Sequence, residues 1–392
     1  VSVAERFRNR SLLLVLGEGG VGKTTVSAAI AGLCASAGRR VLVVTVDPSN
    51  RLKDSLGLSG APGMEEAVPL KGFGPAAGQG SLHAMILDAA TELDRLVDRL
   101  APDEETKRRI TGNVFYRKAA ARVAGTHEYT AMERLLETLD SGRYDLIILD
   151  TPPERHALEF LQAPARLDAL LGSDAFRMFV NASSGLSRLG VAAIRWRPLV
   201  LKGISRFAGE ETFLAVLDFV LAFSPMFEGF RERAARVDEW LKGSGASTIL
   251  VVRPEVGALS FASGTLKRLS ERGIRPEAVV VNRVHAWPPE GCRSRPAETM
   301  DAGVLKDALL SESVLGLMDR STLSALASDA LRLATDYRAL AREDEARISA
   351  MRETLAPVPV VSLPLLRGEV RDLSSLAAFA HVVERMFDQS AP

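Results

Sequence analysis

The chain of 392 residues is 25% charged, with 49 lysines and arginines set against 49 aspartates and glutamates. That length allows two or three domains around a large core, and the charge balance gives no overall field for nucleic acid or an anionic membrane surface. Two cysteines, Cys34 and Cys292, exclude a disulfide framework or a thiolate cluster and point to a reducing, cytoplasmic compartment.

Polar and basic residues 1–11 precede an apolar run of one strand's length, so no secretory leader is expected. That run, Leu12–Leu16, is the first predicted strand. It leads into Gly17-Glu18-Gly19-Gly20-Val21-Gly22-Lys23-Thr24-Thr25, and a helical pattern follows over Val26–Ala37. Strand, glycine loop and helix form the context in which G-x-x-x-x-G-K-[ST] is a phosphate site. The amides from Gly19 to Thr25, with Gly20, Val21 and Gly22 between, converge on an anion at the positive end of the helix. Lys23 is expected to reach the β- and γ-phosphates of a nucleoside triphosphate, and the Thr24 hydroxyl to ligate Mg²⁺.

The second strand, Arg40–Val46, ends in Asp47, placed to orient a water on the γ-phosphate or simply to close an Asp-Pro turn. Residues 59–80, rich in Gly, Pro and Ala, are read as a loop, and Ala84–Leu100, Glu104–Val123 and Glu128–Leu139 as helices. Strand Leu146–Leu149 ends in Asp150, the expected second carboxylate of the Mg²⁺ shell, acting through water. His156, a helical turn further on, is a relay, a phosphate sensor or only a capping residue. Ala163–Phe179, Ser187–Phe207, Thr212–Phe223 and Gly229–Leu241 have helical patterns. The longest apolar stretch, Phe213–Phe223, is broken by Asp218 and too short to span a bilayer.

Strands Thr248–Val252, Ala278–Val281 and Val358–Leu363 complete a doubly wound, mostly parallel α/β sheet. A loop at 286–303 and a long charged helix, Ser321–Thr354, separate the last two. Residues 1–83, 140–160 and 245–392 are expected to form the nucleotide-binding core, and 84–139 with 161–244 one inserted helical subdomain. A single glycine loop and no repeat predict one ATPase unit.

These segments resemble the arsenical-pump ATPase family, which includes the cytosolic ATPases that target tail-anchored membrane proteins. That family's loop reads G-K-G-G-V-G-K-T-T, from which Glu18 is the one departure. Its first switch, D-P-A-H-x-L-x-D, is matched by Asp47, Pro48, Leu52 and Asp54, with Asn50 where the histidine would be. Its second, D-T-[AP]-P-x-x-H-x-L, is matched by Asp150, Thr151, Pro153, His156 and Leu158. Gly125-Thr126-His127-Glu128-Tyr129 resembles a bacterial version of the segment between the switches. Asn282 resembles the strand-end asparagine that reads adenine, Glu255 a second nucleotide-side position, and Pro364 with Leu365 the adenine-flanking loop. The resemblance implies a SIMIBI-class P-loop fold, ATP with Mg²⁺, and a dimer whose helical subdomains open and close with nucleotide. It also implies that Asp47 activates water while Lys23 and the loop amides neutralise charge.

Departures from the family pattern limit that transfer. Arsenite handling needs clustered thiolates, and Cys34 and Cys292 stand apart, so an arsenite-pump subunit is not expected. Gly291, Arg293 and Ser294 around Cys292 leave no C-x-x-C clasp, so no zinc is expected. Glu18 replaces a lysine that, in the resembled family, reaches across the dimer to the partner's phosphates. This change implies a heterodimer with a lysine-bearing paralogue, or slow hydrolysis by a nucleotide-gated subunit. Alternatively Glu18 faces solvent and a base such as Arg155 compensates.

Two functions follow. In the first, residues 176–227 carry an apolar stripe rimmed by Arg177, Arg188, Arg195, Arg197, Lys202 and Arg206. Such a stripe suits a groove for an apolar or membrane-derived helix, or else is packed core with a solvated basic face. In the second, the chain is a positioning or regulatory ATPase, and Leu373, Leu376, Phe379, Val383, Met386 and Phe387 form an amphipathic anchor. With only Arg385 and His381 on its polar side that anchor is weakly basic, so membrane contact is indirect at most. No basic stripe with aromatics supports nucleic-acid binding.

Overall fold

The apolar runs that read as buried strands pair side by side. The strands are β1 (Leu12–Gly17), β2 (Arg40–Thr45), β3 (Glu65–Val68), β4 (Ser81–Ile86), β5 (Leu146–Asp150), β6 (Ala246–Val252), β7 (Pro276–Val284) and β8 (Val360–Pro364). The computed structural model describes residues 2–46, 51–74, 79–114, 116, 126–152, 169, 218, 222–287 and 319–390. Within them the strands form one sheet in the order β3-β4-β2-β5-β1-β6-β7-β8, parallel except for the β3–β4 pair. β1, β5 and β6 are buried at every position, as Leu, Ile and Val runs covered on both faces must be.

Two strands depart from the sequence pattern. β3 interrupts the expected loop at 59–80, and β4 takes in Ala84–Ile86, expected to open a helix. That helix starts at Ala89, where the Asp88 carboxylate accepts from the Thr91 amide at 2.9 Å. The sheet therefore runs past the expected boundary at residue 83. The predicted helices over Glu128–Leu139, Gly229–Leu241 and Ser321–Thr354 are present as Thr126–Asp140, Phe227–Lys242 and Arg320–Thr354. Ala163–Phe179 except residue 169, Ser187–Phe207 and residues 288–303 lie outside the described residues.

Helices cover both faces. Lys23–Ser36 and Leu373–Gln389 close one apolar layer around Ile30, Phe73, Phe379 and Phe387. Thr126–Asp140, Phe227–Lys242, Ala258–Glu271 and Arg320–Thr354 close the other, around Met132, Leu241, Leu269 and Ile348. A third, smaller cluster gathers Val97, Ile110, Tyr116, Met226 and Phe230. Buried Glu133 ties its helices together, meeting Arg99 at 3.4 Å and also Arg233. Ala222 and Met226, from the end of the 176–227 stripe, belong to this cluster, so for them the packed reading holds.

The C-terminal helix settles a further point. Leu376, Phe379, Val383 and Phe387 are buried in the core, so its apolar face is not offered to a membrane. No described helix is long and apolar enough to cross one. Phe387 is fully buried and meets Phe7 edge-on, with ring centroids 6.4 Å apart. Phe387→Ala is expected to cost about 3–5 kcal/mol of stability. Urea unfolding at an unchanged m-value checks this, and a loss below about 1 kcal/mol would contradict the packing. Cys34 is buried in the same layer, and burial pushes its thiol up to about 12, so it stays protonated and is a poor metalloid ligand.

Candidate nucleotide site

The site begins where β1 runs out. Gly17, at φ 152°, lies so close to β6 that a Cβ would sit 2.2 Å from the Val251 carbonyl oxygen. The chain then turns through Glu18–Gly22 and enters helix Lys23–Ser36, with Gly22 as N-cap in the left-handed region at φ 97°. A side chain on Gly22 would place Cβ 2.3 Å from Asn282 Nδ2. Glycine is needed here for both backbone and space. No acidic residue stands in the helix's first turn, so its amides face the cleft without a competing carboxylate.

Lys23 is buried, and its Nζ donates to the Glu18 carbonyl at 2.9 Å, which folds the ammonium back over the loop. The Glu18 side chain itself is exposed and makes no hydrogen bond or ion pair with the described residues. Thr24 Oγ1 donates to Asp150 Oδ2 at 2.7 Å, and Thr45 Oγ1 donates to the same oxygen at 3.0 Å. The sheet dictates this meeting. Asp150 pairs in register with Val15 of β1 and with Thr45 of β2, so three strands deliver their carboxyl ends to one point. A hydroxyl and a buried carboxylate in contact form a hard oxygen donor set, which fits Mg²⁺.

Thr151, expected in the second switch, directly follows Asp150. It is buried, and its Oγ1 donates to the Val15 carbonyl at 2.8 Å, pinning β5 to β1. Asn282 ties β7 to the loop: Nδ2 donates to the Val21 carbonyl at 2.8 Å, and Oδ1 accepts from the Arg283 amide at 2.9 Å. Arg283 turns the chain there at φ 62°, the one left-handed non-glycine among the described residues.

A cleft of about 1290 Å³ joins Gly19, Gly20, Gly22, Lys23, Thr24 and Asn282 to Thr25, Asp54, Pro364 and Leu365, and Asp150 touches it through Thr24. Leu365 is fixed by its amide, which donates to the Val284 carbonyl at 2.8 Å. Glu255 does not line the cleft. It is exposed and meets Arg253 at 3.1 Å, and Arg253 is the residue that reaches the lining. Asp47, Pro153, His156 and Arg155 lie outside the described residues. The cleft also includes Ser55, Arg283, Arg367, Arg371 and Phe379, none of which the motifs singled out for it. Arg253 carried a usable signal, because it follows the end of β6 as Asp150 closes β5.

Residues 10–201 match the family described as anion-transporting ATPase. The chain is 27% identical over 332 residues to ATPase GET3 of Malassezia globosa, covering 79% of this chain and 88% of that protein. It is 24% identical over 288 residues to ATPase ASNA1 homolog 2 of Paramecium tetraurelia, covering 72% and 78%. To a protein of Aquifex aeolicus named provisionally as an arsenical pump-driving ATPase it is 26% identical over 374 residues, covering 95% and 78%.

Proposed function

Because this chain belongs to the anion-transporting ATPase family and is an ATPase, we propose that ATP binding and hydrolysis gate its helical subdomain for an apolar-helix client, as in tail-anchored protein targeting. The contact of Thr24 with Asp150 beside Lys23, at the mouth of a strand–loop–helix unit, carries the nucleotide half of this reading. The loop amides and Lys23 hold the phosphates, with Lys23 exchanging the Glu18 carbonyl for a phosphate oxygen. Thr24 and, through water, Asp150 would hold Mg²⁺, which when bound supplies charge neutralisation at the phosphoryl oxygens. Asp47 orients the attacking water. Asn282, Pro364 and Leu365 enclose the base.

The gating half is supported by connectivity. Asp54 and Ser55, just past Asp47, line the cleft. Helix Thr126–Asp140, part of the helical layer, leads directly into β5 and Asp150. Movement at either phosphate-side segment is therefore coupled to helices held by Glu133. The client surface is residues 176–227, most of them outside the described residues. Photo-crosslinking the purified protein to an apolar transmembrane-type helix should succeed in one nucleotide state and weaken in the other. Failure in every state would remove the client from the proposal while leaving the ATPase intact. The lone cysteines, Cys34 buried among them, argue against an arsenite-handling role.

Glu18 favours a second arrangement, in which this chain pairs with a lysine-bearing paralogue. Its exposed carboxylate at the loop would repel a partner's bound triphosphate in a homodimer. Glu18→Lys is expected to raise both ATP-dependent self-association and turnover of the isolated protein, read by sedimentation and phosphate release. No change in either would mean that Glu18 faces solvent in the working state and that the homodimer needs no cation from this position.

A further inference from the structure

The nucleotide cleft contains one residue whose conformation the fold gives no local reason for. Arg283, near the carboxyl end of β7, sits in the left-handed region at φ 62°. Glycine adopts this conformation without a Cβ clash and asparagine or aspartate with a small one, whereas an arginine is strained in it. Contacts within the protein do not offset that strain. The side chain is exposed and makes no hydrogen bond or ion pair with a described residue. Residues held this way gather at ligand-binding positions, where the bound molecule uses the side chain.

The other cations of the cleft are already engaged. Four arginines line it: Arg253, Arg283, Arg367 and Arg371. Arg253 meets Glu255 at 3.1 Å, Arg371 meets Glu369 at 2.6 Å, and Arg367 also has a partner. Among the described residues, Arg283 is the lining guanidinium left open to a ligand.

The sheet order says which part of a nucleotide it meets. Thr24 and Asp150, at the terminal-phosphate end, stand beyond β1 and β5. β7 lies on the other side of β1, past β6, so it is two strand spacings or about 10 Å away. That is the nucleoside end of the cleft. β8 supplies a second wall there. Leu365 is 37% exposed, and its amide donates to the Val284 carbonyl at 2.8 Å, which holds it beside the Arg283 turn. A fixed apolar side chain and an unpaired guanidinium plane suit a flat aromatic ring, whose face gains dispersion from the first and attracts the second.

We propose that Arg283 clamps the nucleobase, its guanidinium stacked on the ring face opposite Leu365. This deepens the nucleotide reading and rests on it. Stacking uses the π-face that every base has, so Arg283 adds affinity for nucleosides generally.

The test is calorimetric titration of the full chain with Mg-ADP, for the wild type, Arg283→Gly and Arg283→Lys, with thermal unfolding followed in the absence of ligand. Both substitutions keep the backbone amide that bonds Asn282, and glycine is unstrained at φ 62°. Arg283→Gly is expected to unfold at the wild-type temperature or above and to bind Mg-ADP about tenfold more weakly. Arg283→Lys keeps the charge but loses the plane, and should remain more than about threefold weaker than the wild type. Affinity within about threefold of the wild type in either variant would overturn the proposal. In the glycine variant it would mean that the side chain does not touch the ligand, and in the lysine variant that charge alone suffices, as at a phosphate. A lower unfolding temperature for ligand-free Arg283→Gly would make the arginine structural and overturn it as well. Absence of Mg-ADP binding by the wild type would instead overturn the nucleotide reading itself.

Discussion

Asp47→Asn is expected to lower the rate of ATP hydrolysis by about 10²–10⁴-fold while leaving ATP affinity nearly intact. The residue follows β2, whose Thr45 hydroxyl sits 3.0 Å from Asp150, so the chain leaves the sheet beside the hydroxyl–carboxylate pair. A carboxylate there can accept a proton from, or simply align, an attacking water; an amide of the same shape cannot do the first. Lys23→Ala should behave differently. It removes a buried ammonium aimed at the loop and with it a charge-assisted contact to phosphate, about 1.5–3 kcal/mol or roughly 10–100-fold in Kd. Single-turnover hydrolysis and fluorescent-nucleotide titration separate the two. Equal turnover in wild type and Asp47→Asn would remove Asp47 from the water-orienting role.

Gly22→Ala should abolish useful nucleotide binding. The position has φ 97°, and a non-glycine residue pays about 1–2 kcal/mol for such a conformation. The new methyl would also lie 2.3 Å from Asn282 Nδ2. Either the loop shifts or Asn282 releases the Val21 carbonyl, leaving an acceptor unsatisfied at about 1–3 kcal/mol. Combining Gly22→Ala with Asn282→Ala distinguishes the two costs. Partial recovery of ATP binding in the double variant would locate the damage in the clash, since neighbouring changes of this kind are not additive. A single variant with wild-type affinity would show that the loop has room that its geometry denies.

What the sequence disclosed and what it hid divide along one physical line. β1, β2 and β5–β8 were legible because strands covered on both faces carry runs of consecutive apolar residues. β4, reading Ser-Leu-His-Ala-Met-Ile, alternates buried and half-buried positions near an edge, and β3 opens with Glu65 and Glu66. Neither has the continuous run that marked the others. The glycine loop, Thr24 and Asp150 were legible by local spacing, and their contact follows from the strand register. Ser55, Arg367, Arg371 and Phe379 come from one loop and two helices, and nothing in their own neighbourhoods marks a convergence. Glu255 was assigned by resemblance, yet its neighbour Arg253 occupies the lining. Thr151 matched a switch motif, and the sequence did not disclose that its hydroxyl also ties β5 to β1.

The strand order has a consequence for how the chain is made. β1 emerges first, but both of its neighbours come much later: Leu12 pairs with Ile147 on one side and Ala246 on the other. Until then the loop has no flanking strands, and Asn282 and Pro364, which complete the cleft, are later still. High contact order of this kind slows folding and leaves apolar strands waiting in incomplete chains. The same delay means that a nascent or prematurely ended chain, lacking β7 and β8, carries the glycine loop without the cleft that would retain ATP. Ligand-induced stabilisation is thus reserved for chains that have been synthesised through β8.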